Sequence, residues 1–251
     1  ICYSAFINRE MIHFSKYDCD RSIPNGIDGL KTSQRKILFA ALKRKLTKEV
    51  KVAQFSGYVS EHSCYHHGET SLQKAIVGMA QDFVGSNNIN LFLPNGQFGT
   101  RLAGGKDSAS ERYIYTALNP ITNFIFNPND MFVLNYLEDD GTPVEPEFYC
   151  PIIPMILVNG SKGIGTGFST DIPQYKPQTI INYLFNKLKG KEVDSIDFIP
   201  FYRGFKGSIE KISNNKFLIK GKYKIISSNT VQITELPVGT WTDDYKEFLD
   251  K

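Results

Sequence analysis

Residues 32–44 read TSQRKILFAALKR, and this stretch decides the fold predicted for the first half of the chain. Its apolar residues recur at helical spacing, and they are Ile37, Leu38, Ala41 and Leu42. The spacing predicts a helix with one face in a core, for which Thr32 and Ser33 are the candidate N-terminal caps. The other face is basic, which is typical of a solvated helix surface and also suits a surface that follows a phosphate backbone.

A second helix is predicted over residues 70–84, and its apolar positions are Leu72, Ile76, Met79, Ala80 and Phe83. Gly85 follows as the expected C-terminal cap. Two helices joined by a connecting segment and followed by a glycine-rich loop are typical of a helix-turn-helix module with a wing-like extension.

The second half of the chain combines one helix with short strands. A helix over residues 177–189 begins with Pro177 near its first position, and its predicted buried residues are Ile180, Ile181, Leu184 and Leu188. Four strands of an antiparallel sheet are predicted over residues 207–212, 216–219, 223–226 and 231–236, with hairpin turns at 213–215 and 227–229. The predicted fold class is therefore α+β, a helix-turn-helix or winged-helix domain followed by a mixed domain with an antiparallel sheet.

Composition limits the function classes without selecting one. The chain has 251 residues, 41% of them hydrophobic, and a formal net charge of +3, so it can bury a sizeable core. Its cysteines are scattered without a Cys-x-x-Cys pair, which favours reduced thiols and speaks against a zinc site. No apolar run approaches the roughly 20 residues that a membrane-spanning helix needs. Because the chain begins at Ile1 and stops within a predicted helix, we expect a piece of a larger polypeptide.

Glycines, cations and hydroxyl groups are concentrated in residues 99–116, which read GTRLAGGKDSASERYIYT. Its glycines would let the backbone approach a polyanion, while Arg101 and Lys106 supply positive charge. Arg112 could hold a phosphate oxygen beside the phenol of Tyr113. The stretch therefore indicates a tyrosine nucleophile aimed at a phosphodiester, whereas we assign nearby Tyr115 an ordinary packing role.

Other candidate residues each have a plain structural alternative. Adjacent His66 and His67 are poorly placed to chelate one metal and suit hydrogen bonds to phosphate or backbone. Ile164 could be a core residue, but its glycine neighbours favour a tight turn with an exposed apolar tip that could unstack a base step. The acidic sets at residues 18–20 and 138–140 are interpreted as turn or surface residues, and no metal site is predicted.

An ordered series of motifs extends over nearly the whole chain. The motifs are DGLK at 28–31, QRK at 34–36, YHHGE at 65–69, FVGSNN at 83–88, GQFGTR at 96–101, GGKD at 104–107, RYI at 112–114, IIPM at 152–155, NG at 159–160, GIGTG at 163–167 and ELP at 235–237 followed by Trp241. In this order they closely resemble the eukaryotic-type DNA topoisomerase II family.

The resemblance implies a role for each matching position. Tyr113 matches the tyrosine that attacks DNA, and Arg112 matches its arginine partner. The residues that match holders of the DNA backbone near the cleavage site are Lys31, Arg35, His66 and His67. Ile164 matches an apolar wedge that enters the base stack. Asn159, in the same loop region, is also expected to contact DNA, as are Arg101 and Lys106 of the glycine-rich loop.

The resemblance also implies domains and cofactors. Residues 1–20 would be a connector from a Toprim domain, 21–153 a winged-helix cleavage domain, and 154–251 part of a tower domain. Mg²⁺ would be bound by the Toprim domain, and ATP would be used by a domain that lies earlier still.

The leading hypothesis is a DNA-breakage and rejoining fragment of an ATP-dependent type IIA topoisomerase. Its partners would be double-stranded DNA and a second copy of the chain, with no membrane. Its location would be intracellular, in the nucleus for a cellular protein or the host cytoplasm for a viral one. One alternative is a winged-helix DNA-binding module without catalysis. Another is a tyrosine recombinase or nicking enzyme, although those enzymes lack this series of motifs.

Overall fold

The computed structural model describes residues 1–194, 196–214 and 216–251. The chain begins with a nearly continuous helical run that the sequence analysis did not predict. This run comprises α1 (Tyr3–Ala5), a π-helical segment (Phe6–Met11) and α2 (Ile12–Ser22). Most of its side chains are exposed. Its apolar residues therefore do not mark one buried helix face that helical spacing in the sequence would reveal.

Three helices form the body of the first half. They are α3 (Thr32–Arg44), α4 (Val52–Ser63) and α5 (Glu69–Ala80). The bounds predicted for α3 are confirmed, whereas α4 occupies what was predicted to be a connecting segment. The buried residues of α4 do have helical spacing, at Val52, Phe55, Ser56, Val59 and Ser63.

The ends of α3 and α5 differ from the prediction. Thr32 is already inside α3, and its hydroxyl donates to the carbonyl of Asp20 at the end of α2, 2.9 Å away. The N-cap is Lys31, whose backbone N–H donates to the side chain of Gln34 at 2.9 Å. Helix α5 stops at Ala80 rather than at residue 84. The side chain of Asn87 donates to the carbonyls of Gly78 and Gln81, and so satisfies backbone groups that the end of the helix leaves without partners.

A single core joins these helices to a small sheet. Strands β1 (Val50–Lys51) and β2 (Tyr115–Thr116) pair antiparallel, and isolated bridges extend the pairing to Phe92 and Asn95. The fully buried side chains between the helices and this sheet include Ile37, Leu38, Phe55, Leu72, Ile76, Phe92 and Ile114. The predicted buried face of α3 is therefore confirmed.

The remaining elements are mostly hairpins and short helices. In chain order they are α6 (Thr122–Ile125), a 3₁₀ turn (Pro128–Phe132), β3 (Tyr136–Asp139), β4 (Thr142–Pro146), α7 (Met155–Val158), β5 (Ser161–Gly165), β6 (Phe168–Ile172), α8 (Pro177–Leu188), β7 (Ser208–Ser213), β8 (Lys216–Lys220), β9 (Lys222–Ser227), β10 (Thr230–Glu235) and α9 (Thr242–Leu249). Each strand from β3 to β10 pairs antiparallel with its neighbour in sequence. The mixed α+β fold with small antiparallel sheets is confirmed.

Details of the second half correct the prediction. The four strands β7–β10 form two separate hairpins rather than one sheet within the described residues. Asn215, part of a predicted turn, lies outside those residues. Helix α8 begins with Pro177 as predicted and buries Ile180, but Ile181 and Leu188 are exposed. No helix among the residues that the structure describes is long and apolar enough to span a membrane.

The buried carboxylate of Asp28 joins three parts of the first half. It accepts hydrogen bonds from the backbone N–H of Leu30 at 2.9 Å and of Tyr149 at 3.0 Å. It also accepts two from the guanidinium of Arg35, at 2.7 and 3.0 Å. Arg35 in turn donates to the carbonyl of Leu30 at 2.9 Å. This arrangement fixes the loop before α3 against both α3 and the segment around Tyr149.

The side chain of Asn88 connects the two halves in a similar way. Its amide donates to the carbonyls of Val158, Tyr175 and Phe201, while its oxygen accepts from the backbone N–H of Arg203 at 2.8 Å. One buried side chain thus satisfies backbone groups from three segments that are distant in sequence.

Replacing Arg35 tests the dependence of the fold on the Asp28 pair. We expect Arg35→Met to lower the free energy of unfolding by about 3–5 kcal/mol, because it leaves the Asp28 carboxylate buried without its counter-ion. Urea unfolding followed by circular dichroism measures the change. Arg9→Met, at an exposed position, should change it by less than about 0.5 kcal/mol. If both variants lose the same free energy of unfolding, the fold does not depend on the Asp28–Arg35 pair.

Candidate nucleic-acid interface

Arg112 and Tyr113 lie in an exposed turn between two anchored positions. The backbone N–H of Ala53 donates to the carbonyl of Glu111, and that of Val52 donates to the carbonyl of Ile114, both at 3.0 Å. Val52 and Ala53 begin α4, so two otherwise unsatisfied N–H groups of this helix hold the turn. The side chain of Ile114 is buried, whereas that of Tyr113 is 76% exposed. The phenol and the adjacent guanidinium are therefore presented to solvent on a fixed backbone.

Tyr115 differs from the packing residue that was predicted. It lies in β2, exchanges two backbone hydrogen bonds with Asn95, and is 38% exposed. Beside it runs a groove of about 450 Å³ whose cationic residues are Arg44, Lys45, Lys48 and Lys51. These residues belong to the basic region recognised in the sequence, and the structure places them next to the strand that follows Tyr113.

The glycine-rich loop at residues 99–107 is closely packed within the protein. Its two ends are joined because Asp107 accepts from the hydroxyl of Thr100 at 2.6 Å and from its backbone N–H at 2.8 Å. These hydrogen bonds hold the pKa of Asp107 below its ordinary value. A methyl group on Gly104 would overlap the indole of Trp241. The glycines thus allow close internal packing, which corrects the idea that they admit a polyanion.

The two cations of this loop have different surroundings. Arg101 forms an ion pair with Glu235 and donates to the carbonyl of Leu236 at 2.6 Å, so its guanidinium is used inside the protein. A contact of Arg101 with DNA stays a prediction, made by a guanidinium that already has a protein partner. Lys106 is exposed, and its predicted contact with DNA remains a prediction.

His66 and His67 line one cleft of about 300 Å³ between α2, α3 and the β3–β4 hairpin. The ring Nε2 of His66 lies 2.9 Å from a carboxylate oxygen of Asp139, and that of His67 lies 2.6 Å from the hydroxyl of Tyr17. Burial and the neighbouring positive charges, first that of Arg21, lower the pKa of His67.

Two lysines near this cleft have distinct roles. Lys31, half-buried at the start of α3, has a pKa lowered by burial. Lys36 belongs to the predicted basic surface, but its ammonium bonds to the carbonyl of Ser63 at 2.5 Å and to the buried carboxylate of Glu145 at 2.8 Å. Lys36 thereby fixes the end of α4, just before the two histidines. Sequence analysis missed this positioning role because Glu145 is distant in the chain.

Two other predicted DNA contacts are internal. Arg35 is buried with Asp28, because its guanidinium is needed to neutralise a carboxylate that is removed from water. The side-chain amide of Asn159 exchanges two hydrogen bonds with the backbone of Ile89, at 2.8 and 2.9 Å. Both residues hold the structure together, and direct contact of either one with DNA stays a prediction.

Ile164 is 83% exposed, which excludes the alternative of a core residue. It lies within β5 of the β5–β6 hairpin rather than at the tip of a turn. The neighbouring glycines serve a purpose other than the predicted one. A methyl group on Gly163 would overlap the carbonyl of Ser22, and one on Gly165 would press on Cys19, so both permit β5 to pack on α2.

Two of the acidic residues singled out in the sequence have protein partners. Asp18 accepts from the hydroxyl of Thr166 at 2.8 Å, and Asp139 is next to His66. Within residues 1–194, 196–214 and 216–251, no group of three or more histidine, cysteine or acidic side chains is placed to hold a metal ion.

Comparisons with known proteins agree with the sequence motifs. Residues 21–251 match the family model of the DNA gyrase/topoisomerase IV A subunit. The chain is 55% identical to the probable DNA topoisomerase 2 of Dictyostelium discoideum and 55% identical to DNA topoisomerase 2 of Arabidopsis thaliana. These alignments cover 100% and 99% of this chain but only 17% of each relative.

The chain is also similar to a solved structure. The crystal structure of the Plasmodium falciparum topoisomerase II DNA-binding, cleavage and re-ligation domain has a TM-score of 0.94 and 49% sequence identity to this chain. The match covers 100% of this chain and 34% of that one.

The surroundings of His67 predict its titration. Because its pKa is lowered, we expect its NMR titration midpoint to lie below the ordinary value of about 6.5, so the neutral ring predominates at pH 7. His67→Gln assigns the resonance. Arg21→Gln should raise the midpoint by removing a nearby positive charge. A midpoint at or above about 6.5 in the parent protein would show that these surroundings do not lower the pKa of His67.

Proposed function

The chain belongs to the DNA gyrase/topoisomerase IV A-subunit family, and from that premise we propose that it supplies the DNA-breakage and rejoining site of a type II topoisomerase. Tyr113 is the nucleophile and Arg112 its partner. The observation that supports this most strongly is the exposed Arg112–Tyr113 turn, held at Glu111 and Ile114 by the first residues of α4.

The reaction assigned to this turn is a transesterification. The phenolic oxygen of Tyr113 attacks a DNA phosphorus and loses its proton, and the bond from phosphorus to one sugar oxygen breaks. That sugar oxygen leaves as a hydroxyl after taking up a proton, while the phosphate becomes esterified to the tyrosine. Arg112 stabilises the negative charge on the non-bridging phosphate oxygens. Because one phosphodiester replaces another, attack by the sugar hydroxyl reverses the break.

Other residues are assigned to hold the duplex. His66, His67, Lys31 and Lys106 are proposed to contact its phosphates, with the cationic groove beside Tyr115 as a further supporting feature. Ile164 is proposed to insert between base pairs, which its exposure on the β5–β6 hairpin permits. Unstacking a base step costs a few kcal/mol and is offset by contacts to the bent duplex.

The assembly and its cofactors form part of the same proposal. The chain spans 17% of the relatives named above, which leaves room in a longer protein for the Mg²⁺ and ATP sites of the family. Residues 1–20 are assigned as a connector, 21–153 as the winged-helix domain and 154–251 as part of the tower. Two copies, each with one Tyr113, account for a double-strand break. The relatives support an intracellular location, in the nucleus for a cellular protein.

Replacing Tyr113 separates cleavage from binding. In the full-length protein, Tyr113→Phe should abolish the covalent DNA adduct while DNA affinity changes by less than about threefold, because only the nucleophilic oxygen is lost. Adduct trapping with denaturant and a filter-binding assay measure the two properties. Tyr115→Phe is the matched control and should retain the adduct. If the parent protein binds DNA but forms no adduct, the alternative of a non-catalytic DNA-binding module is correct.

Replacing Ile164 tests the wedge. Ile164→Ala should reduce DNA bending, measured by energy transfer between dyes at the two ends of a duplex, and should reduce cleavage more than binding. Ile212→Ala, another exposed isoleucine on a hairpin strand, is the control and should leave bending unchanged. Equal bending by Ile164→Ala and the parent would rule out the wedge role.

A further inference from the structure

We infer that Glu235 and Trp241 form a clamp that positions the cleavage turn from the C-terminal side of the chain, through Arg101 and Gly104. This inference rests on the proposed function and adds positioning residues to it. We call these four residues the C-terminal clamp. Their effect is on the placement of Arg112 and Tyr113.

The first half of the clamp is an ion pair. Arg101, in the glycine-rich loop, pairs with Glu235 at the end of β10 and donates to the next carbonyl, that of Leu236. Glu235 is buried, and the Arg101 side chain is mostly shielded from solvent. A pair removed from water in this way keeps its geometry, because either partner left alone would be a buried unpaired charge.

The second half is a packing contact that only glycine allows. The indole of Trp241 lies directly against Gly104, where any side chain would overlap it, and meets the ring of Phe83 edge-on at a centroid distance of 6.0 Å. Beside it, the backbone N–H of Asp243 donates to the carbonyl of Leu102 at 3.1 Å. The segment around Trp241 thus touches the loop through both its backbone and a large rigid side chain.

The clamped loop continues directly into the cleavage turn. Its ends are joined by Thr100 and Asp107, so it moves as a unit. Two residues after Asp107, the N–H of Ala109 donates to the carbonyl of Gln97 at 2.9 Å, and the anchor at Glu111 follows. Because so few residues separate the loop from Tyr113, a shift of the loop displaces the turn rather than being absorbed by flexible chain.

In this arrangement Arg101 serves the protein interior, although it lies in a stretch rich in cations. Its charge is neutralised by Glu235, whereas Lys106 and Arg112, which follow it in the sequence, are exposed. The clamp also connects the β9–β10 hairpin to the nucleophile, since Glu235 is the last residue of β10. A change in the position of that hairpin would therefore displace the cleavage turn.

The clamp is tested in the full-length protein with Arg101→Met, Glu235→Gln and Trp241→Ala. Each should slow adduct formation on saturating DNA by roughly 10- to 100-fold, as expected for a misplaced reacting group. The dissociation constant for DNA should change by less than about twofold, because no DNA contact is removed. Trp241→Phe should recover most of the rate. Phe248→Ala, an exposed aromatic residue of α9, is the control and should behave as the parent.

The outcomes separate the clamp from its alternatives. If Arg101→Met weakens DNA binding while the rate on bound DNA is unchanged, Arg101 is a DNA ligand and the clamp is refuted. If all three variants match the parent in rate, the clamp is also refuted. Should Trp241→Ala fail to fold, Arg101→Met and Glu235→Gln decide the question. A parent protein without adduct would instead refute the proposed function, before any variant is compared.

Discussion

The fold of the first half depends on one buried carboxylate. Asp28 has no exposure to water, and four hydrogen bonds from Leu30, Arg35 and Tyr149 replace its hydration. A buried carboxylate is tolerated only when it is paired and fully bonded, so this geometry allows little variation. Arg35 belongs to α3, and Tyr149 follows the β3–β4 hairpin. The same carboxylate therefore bonds to one element that lines the cleft containing His66 and His67, and to the segment just after another.

In this structure, exposed functional side chains lie on backbone that is rigidly held. The Arg112–Tyr113 turn is open to solvent, but both of its ends are tied to α4, and the loop before it is closed by Asp107. Ile164 is likewise exposed on a hairpin that packs closely on α2. A reacting or inserting group gains from such support, because orientation is fixed before the nucleic acid arrives.

Sequence patterns predicted the helices and strands better than they predicted the roles of the polar side chains. Helix α3 and the strands near the C-terminus follow from local periodicity, whereas α4 was missed because its serines and glycine masked its apolar face. Arg35, Lys36 and Arg101 were all interpreted as surface cations. Glu145 and Glu235 lie 109 and 134 residues from Lys36 and Arg101, so only the tertiary structure shows these pairs. Asp28 lies 7 residues before Arg35, but in the loop that precedes α3, so helical spacing did not reveal that pair either.

The central claim is that the exposed phenol of Tyr113 becomes covalently attached to DNA. The most direct measurement is mass spectrometry of the peptide that carries a nucleotide after the trapped protein–DNA complex has been digested with protease and nuclease. The account predicts a single modified peptide with the added mass on Tyr113. A nucleotide on Tyr115 or on any other residue, or a complex that dissociates without leaving a modified peptide, would contradict it.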